Sequence, residues 1–228
     1  TAIKILRSSA PNFLFNLFLN LIDTISFYFV GHLNNPLLLS AVGFAITWSA
    51  ALSMGASFGL AIGFSIIGSQ AYGARDYRKL GLFYQKTLVV QGFALIFSTI
   101  IMFFSAPILI FIGMDEELSE SVGILMRANI PSLIVYALFH SNSFYLMTLN
   151  LYHINAIATA CGALTNLIGS YLFINVLGWE LIGVGVSRAF AFMGMISLQW
   201  AYIEKYKPCP ESWFPWTKEC LNEIVDYA

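Results

Sequence analysis

Charged residues are scarce in this chain of 228 residues. Asp, Glu, Lys and Arg make up 10% of it, against about 25% in an average soluble domain, and 58% of the residues are hydrophobic. The shortage is also local, because residues 36–72, 87–114 and 128–179 contain no charged side chain of these four types. A membrane-spanning helix needs about 20 consecutive apolar residues. These runs therefore exclude a soluble domain and indicate a polytopic helical membrane protein.

Cysteine is rare too, and its spacing does not suggest chemistry. The three cysteines are Cys161, inside an apolar run, and Cys209 and Cys220, near the end of the chain. The sequence contains no C-x-x-C pair and no Cys/His zinc spacing. It also lacks a pairing of nucleophile and base that would indicate catalysis. We therefore expect no enzyme activity, no catalytic residue, no metal site, no cofactor and no nucleic-acid partner.

The apolar runs predict an all-α fold with six membrane-spanning segments. These are residues 11–31, 37–70, 82–112, 119–149, 152–177 and 180–203. Pro11 is predicted to open the first, and Pro131 to kink the fourth. Residues 1–206 would then form one six-helix transmembrane bundle, and residues 207–228 a cytoplasmic segment at the membrane interface.

The placement of Lys and Arg predicts the orientation. They precede the first span at Lys4 and Arg7, recur four times in residues 75–86, and follow the sixth span at residues 205–218. The connection at residues 114–121 holds four acidic residues and no basic one. Since short cytoplasmic loops are enriched in Lys and Arg, both ends of the chain and the loop around residue 75 are predicted to be cytoplasmic.

The loop around residue 75 also has a distinctive sequence. Residues 68–75 read Gly-Ser-Gln-Ala-Tyr-Gly-Ala-Arg and are followed by Gly81 and Gln85. This pattern resembles the loop between the second and third helices of the multidrug and toxic compound extrusion (MATE) family. Residues 29–33, Phe-Val-Gly-His-Leu, resemble the end of the first helix in eukaryotic-type members. A looser match covers residues 170–185.

The resemblance implies a fold and a function. Members have twelve helices in two six-helix lobes around a central cavity, so the chain would be a fragment that contains the amino-terminal lobe, with the second lobe absent from it. It would export organic, often cationic, solutes or xenobiotics against proton or sodium entry, across a plasma or vacuolar-type membrane. In many bacterial members an acid stands where this chain has Ser26, while here the acid, Asp23, lies one turn earlier.

Asp23 is the most informative residue of the first span. It shares one face of a helix with Asn12, Asn16, Asn20 and Ser26. A carboxylate inside a bilayer costs about 2.5 kcal/mol or more and by default faces a partner or a cavity. Arg127 and Arg188 lie at a similar depth, so an ion pair with either is as plausible as a proton- or cation-binding role, and the two roles can coexist.

Polar stripes recur on two later spans. The fourth carries Asn129, Ser132, Tyr136, His140 and Ser143, and the fifth carries Asn155, Thr159, Asn166 and Ser170. Such stripes either bond neighbouring helices to each other or converge on an aqueous pathway. The predicted ion or substrate pathway comprises Asn16, Asn20, Asp23, Ser26, Tyr136, His140, Asn166 and Arg188.

Other interpretations stay open. A lipid-linked oligosaccharide flippase of the same superfamily would need a more cationic cavity, and this chain offers it only Arg127 and Arg188. A non-transporting membrane receptor or scaffold would use the stripes only for structure. Gly55, Gly59 and Gly63, spaced four apart, predict a face of the second span for close helix packing.

Overall fold

The computed structural model describes residues 2–51 and 55–215, with the side chains of all of these except residues 2–9 and 56. This part of the chain contains nine α-helices. They are α1 (Ala2–Gly31), α2 (Pro36–Ser49), α3 (Gly55–Gly73), α4 (Tyr77–Phe103), α5 (Ser105–Phe111), α6 (Glu116–Ala128), α7 (Ile130–Thr148), α8 (Tyr152–Ser170) and α9 (Glu180–Tyr206). A π-helical turn, Tyr171–Val176, extends α8, and a 3₁₀ turn, Pro210–Ser212, follows α9.

The predicted helical membrane fold is confirmed, although the helices outnumber the predicted spans. The third and fourth spans are each divided into two helices, α4 with α5 and α6 with α7. The second span contains α2 and α3, which lie on either side of residues 52–54, outside the described ranges. Within the described ranges, four segments are long and apolar enough to cross a membrane: Ala10–Gly31, α4, Tyr152–Val176 and α9. The pair α6 and α7 would make a fifth.

Local signals explain several helix boundaries. Asn35 caps α2, since its side chain accepts hydrogen bonds from the backbone N–H groups of Leu37 and Leu38 at 3.0 and 3.4 Å, and Pro36 occupies the first turn. Asp76 caps α4 and Asp115 caps α6 in the same way, each at 3.1 Å. Polar residues at the loops therefore start these apolar helices where the chain turns.

Two prolines behave differently. Pro131 stands in the first turn of α7, directly after a 52° bend from α6, as predicted. Pro11, by contrast, does not open the first helix, because α1 begins at Ala2 and Pro11 lies inside it. Only the apolar part of α1, from Ala10 onward, matches the predicted first span.

The helices pack into a single bundle. α8 lies between α1 and α9, while α7 packs against α9 on one side and against α3 and α4 on the other. Glycines permit the closest approaches: a Cβ added at Gly162 would lie 1.9 Å from Met195, and one at Gly185 would lie 2.6 Å from the backbone of Ala128. Of the predicted packing face at Gly55, Gly59 and Gly63, the last two make no close contact within the described residues, since a Cβ there would meet no described atom within 4 Å.

After α9 the chain folds back onto the bundle. We call residues 209–215 the strap; it lies across the first turns of α4 and the end of α7. The Ser212 hydroxyl donates to the Cys209 carbonyl at 2.9 Å, so the Tyr145 hydroxyl, 2.7 Å away, donates to Ser212. The Gln85 amide donates to the Phe214 carbonyl at 3.0 Å. The strap is thus held by hydrogen bonds to both helices. The predicted interfacial segment from residue 216 onward, with Lys218 and Cys220, lies outside the described residues.

Gly81 is the position where the strap comes closest to α4. A Cβ there would lie 2.2 Å from the Ser212 carbonyl oxygen and 2.6 Å from the Phe214 ring. We expect Gly81→Ala to lift the strap, because overpacking against backbone costs about 1–3 kcal/mol. Cys209, 7% exposed in the native fold, is a built-in reporter, and its maleimide labelling should accelerate about tenfold.

The labelling is measured on the full-length protein with Cys209 as its single cysteine. Gly73→Ala is the matched control, because a Cβ at Gly73 meets no described atom within 4 Å. Equal labelling rates for Gly81→Ala and Gly73→Ala would show that the strap does not depend on this contact.

Candidate functional site

A cavity of about 320 Å³ opens between helices of the bundle. Residues of α1, α3, α7 and α9 form its walls, together with Ala50 just after α2. Its lining comprises Asn16, Leu19, Asn20, Ile22, Asp23, Ala50, Gly55, Phe58, Tyr136, His140, Arg188 and Phe192. Six of the eight predicted pathway residues therefore meet here, and they come from three different helices.

An ion pair joins two walls of the cavity. Arg188 of α9 contacts the Asp23 carboxylate of α1 through its guanidinium group. The other candidate partner, Arg127, donates instead to the backbone carbonyl of Gly123 at 3.1 Å. The pairing alternative is thus decided in favour of Arg188, and this leaves open a further role for Asp23 in binding an ion.

The two partners of the pair are unequally buried. The Arg188 side chain is 3% exposed, whereas that of Asp23 is 40% exposed. The guanidinium therefore sits behind the carboxylate, and a molecule in the cavity meets Asp23 first. The Arg188 Nε has no hydrogen-bond partner among the described residues. A buried, incompletely bonded cation is expensive without its counter-ion, so Arg188 ties the stability of this region to the charge on Asp23.

Aromatic rings form the wall that faces α1. His140 is 2% exposed, and its ring centroid lies 4.2 Å from that of Tyr136 and 5.4 Å from that of Phe58. Phe192 meets the Tyr136 ring edge-on at 5.2 Å. Neither ring nitrogen of His140 has a partner in the described part of the chain. A buried polar group without a partner is costly. Both nitrogens are shielded by the surrounding side chains, so His140 contributes to the wall through its ring contacts.

Two predicted pathway residues lie outside the cavity lining. Ser26, fully buried, donates to the backbone carbonyl of Ile22 at 3.1 Å. Asn166 of α8 donates to the same carbonyl, also at 3.1 Å. Asn166 therefore bonds α8 to α1, whereas the Ser26 bond lies within α1.

Four of the nine residues in the two later polar stripes, Ser143, Asn155, Asn166 and Ser170, bond helices together. Asn155 donates to the Ser143 carbonyl at 2.9 Å, and Gln199 donates both to the Ser143 hydroxyl at 2.8 Å and to the Asn155 side chain at 3.0 Å. This buried network joins α7, α8 and α9. Of the residues in the two stripes, only Tyr136 and His140, one turn apart on α7, line the cavity.

Sequence reasoning missed several residues of this region. Gln199 of the network is one; another is Gln91, which bonds α4 to α7 by donating to the Ala137 carbonyl at 3.2 Å. A lone glutamine in a charge-free span was a usable signal for both. Phe58 and Phe192 carried no such signal, because nothing local distinguishes them among 20 phenylalanines.

The fold and the cavity together define one lobe of a helical membrane protein with a polar site between its helices. Comparison with known proteins identifies its family. The MatE family model matches residues 11–172, and the chain therefore belongs to the MatE family, as the loop sequence indicated.

Individual relatives agree. Protein DETOXIFICATION 41 of Arabidopsis thaliana is 26% identical over 91% of this chain and 41% of its own length. Protein DETOXIFICATION 49 of the same plant is 29% identical over 96% of the chain and 44% of its own. The crystal structure of the eukaryotic MATE transporter AtDTX14 superposes with a TM-score of 0.91 at 19% identity, over 99% of this chain and 50% of that one. The chain thus spans less than half the length of these two curated relatives.

Proposed function

We propose that this chain is the amino-terminal lobe of an ion-coupled antiporter that exports organic, often cationic, solutes or xenobiotics in exchange for protons or sodium ions. Membership of the MatE family supports transport as the general activity. The observation that carries the finer assignment is the half-exposed Asp23 carboxylate, backed by buried Arg188, in a cavity with an aromatic wall.

The arrangement suits a cation. A positively charged substrate in the cavity meets the carboxylate rather than the guanidinium behind it, and aromatic faces attract cations as well. A proton or a sodium ion would seek the same carboxylate. Because ion and substrate then compete for one group, only one of them is carried at a time, which is the requirement for exchange.

The ion pair also offers a way to bias conformation. Asp23 lies on α1 and Arg188 on α9, so any ligand that neutralises the carboxylate weakens a contact between two helices. A ligand shifts a conformational equilibrium only by its difference in affinity for the two states. Movement of the lobe against a second six-helix lobe would complete alternating access.

The orientation proposed from the sequence places both ends of the described chain, and the strap, on the cytoplasmic side. The membrane would be a plasma or vacuolar-type membrane. The cavity gives less support to a flippase, since the guanidinium in its lining is 3% exposed and already paired. A receptor or scaffold would not move solutes, and the flux experiment below separates it from a transporter.

Asp23→Asn is expected to reduce gradient-driven export of a fluorescent organic cation at least about tenfold in liposomes that contain the full-length protein. The reason is that an amide cannot exchange between a proton, an ion and a cationic substrate. The measurement is the initial export rate under an imposed pH or sodium gradient, with the amount of folded protein determined in parallel.

Glu204→Gln is the matched control, because it also neutralises an acid but at an exposed position of α9 outside the cavity lining. Its export rate should equal that of the native protein. Unchanged export by folded Asp23→Asn would remove Asp23 from the mechanism.

A further inference from the structure

The first wall of the cavity, on α1, has a fixed hydrogen-bonding polarity. The Asn16 side-chain amide nitrogen lies 2.9 Å from the backbone carbonyl of Asn12, and that of Asn20 lies 2.8 Å from the backbone carbonyl of Asn16. A backbone carbonyl can only accept a hydrogen bond, so the amide group that faces it is the NH₂ donor. In both side chains one N–H is thereby used, and the carbonyl oxygen, which accepts no hydrogen bond in this pairing, is left for a ligand together with the second N–H.

These oxygens lie in register with the carboxylate. Asn16, Asn20 and Asp23 follow one another at helical spacing, and all three line the cavity. Each presents acceptors: two amide oxygens and a carboxylate with one oxygen in contact with Arg188. The α1 wall therefore favours a ligand that has hydrogen-bond donors along its length and a positive charge at one end.

We propose that the cavity selects cations that carry N–H donors, such as primary or secondary ammonium and amidinium groups on a planar aromatic body, over quaternary ammonium ions of the same body. The N–H donors pair with the oxygens of Asn16, Asn20 and Asp23, and the planar body lies against Phe58, Tyr136 and Phe192. This inference rests on the proposed function and names the substrate class that the site takes.

Charge alone does not make this distinction. A quaternary ammonium ion and a protonated amine are attracted to Asp23 by the same net charge. The quaternary ion, however, covers the amide oxygens with methyl groups and leaves them without water or donor. A site built to hydrogen-bond a ligand strongly rejects an analogue that lacks the donor, because its own polar groups are then left unpaired.

The test compares 2-(2-naphthyl)ethylammonium with its N,N,N-trimethyl analogue as inhibitors of fluorescent-cation export by the full-length protein in liposomes. For the native protein, the amine should inhibit at a concentration at least about tenfold lower, the effect of one charge-assisted hydrogen bond. In the double variant Asn16→Leu/Asn20→Leu the ratio should fall to about twofold or less, mainly because the amine binds more weakly.

Thr24→Val provides the matched control. It is on the same helix, its hydroxyl donates to the Asn20 backbone carbonyl at 3.0 Å, and it does not line the cavity. This variant should keep the native ratio.

The comparison of the two probes on the native protein tests the N–H selectivity even if the double variant does not fold. Equal inhibition by the two probes, with export intact, would overturn the N–H selectivity and leave the proposed function standing. Absence of any ion-driven cation export would instead contradict the proposed function itself.

Discussion

Replacing Asp23 by asparagine is expected to destabilise the protein more than replacing Arg188 by methionine. The two residues form one ion pair, but Arg188 is 3% exposed and Asp23 is 40% exposed. Removing the carboxylate leaves a buried guanidinium uncompensated; a fully buried pair broken in this way costs about 3–5 kcal/mol, and the exposure of Asp23 makes the cost here smaller, about 2 kcal/mol. Removing the guanidinium leaves a carboxylate that water in the cavity can still reach, so the cost is smaller.

The measurement is the thermal unfolding of the full-length protein and its variants in detergent or nanodiscs. The double variant Asp23→Asn/Arg188→Met should recover part of the stability lost in Asp23→Asn, because it no longer contains an unpaired buried cation. Such recovery would be a coupling between the two sites in a double-mutant cycle. A greater loss for Arg188→Met than for Asp23→Asn would contradict the unequal burial on which the site depends.

Gly185→Ala is expected to lower the free energy of unfolding more than Gly162→Ala or Gly92→Ala. The added Cβ would lie 2.6 Å from the carbonyl carbon and 2.7 Å from the carbonyl oxygen of Ala128, the last residue of α6. That backbone belongs to the bend between α6 and α7, so α9 must move away from the bend. We expect the free energy of unfolding to fall by about 3 kcal/mol, the upper part of the range for overpacking.

Two other glycines calibrate this expectation. At Gly162 the added Cβ meets the flexible side chain of Met195, which can change rotamer, so Gly162→Ala should cost about 1 kcal/mol. At Gly92 it meets no described atom within 4 Å, and alanine favours a helix. Melting temperatures should therefore fall in the order Gly92→Ala, Gly162→Ala, Gly185→Ala. Equal melting temperatures for Gly92→Ala and Gly185→Ala would mean that a Cβ at residue 185 does not clash with the bend between α6 and α7.

The sequence predicted the main features that membrane physics controls. The long charge-free runs indicated the spans because a bilayer does not tolerate unpaired charge, and Pro131 indicated the bend. The Asp23–Arg188 pair was one of two options because both arginines lie at the same depth. The break between α4 and α5 at Phe104 also has a local signal that the charge pattern did not use, since Pro107 has no N–H to bond the carbonyl of Phe103 four residues earlier.

The site was only partly predictable. A polar stripe shows which face of a helix is not lipid-facing, but not what lies opposite that face. The His140 side chain lines the cavity, whereas the Asn166 side chain donates a hydrogen bond to the Ile22 carbonyl of α1. The glycine spacing at residues 55–63 was equally ambiguous, and the close contacts occur at Gly162 and Gly185 instead. Such choices depend on neighbours far away in the chain.

The most direct test of antiport is the ion movement that the substrate itself drives. Liposomes that contain the full-length protein are loaded with an aromatic amine and diluted into amine-free buffer, with no ion gradient imposed, while internal pH and internal sodium are followed. Antiport predicts that, after subtraction of the passive signal of protein-free liposomes, amine efflux draws protons or sodium ions inward, and that Asp23→Asn abolishes this protein-dependent movement. Amine efflux through the native protein without any accompanying ion entry would contradict the antiport mechanism.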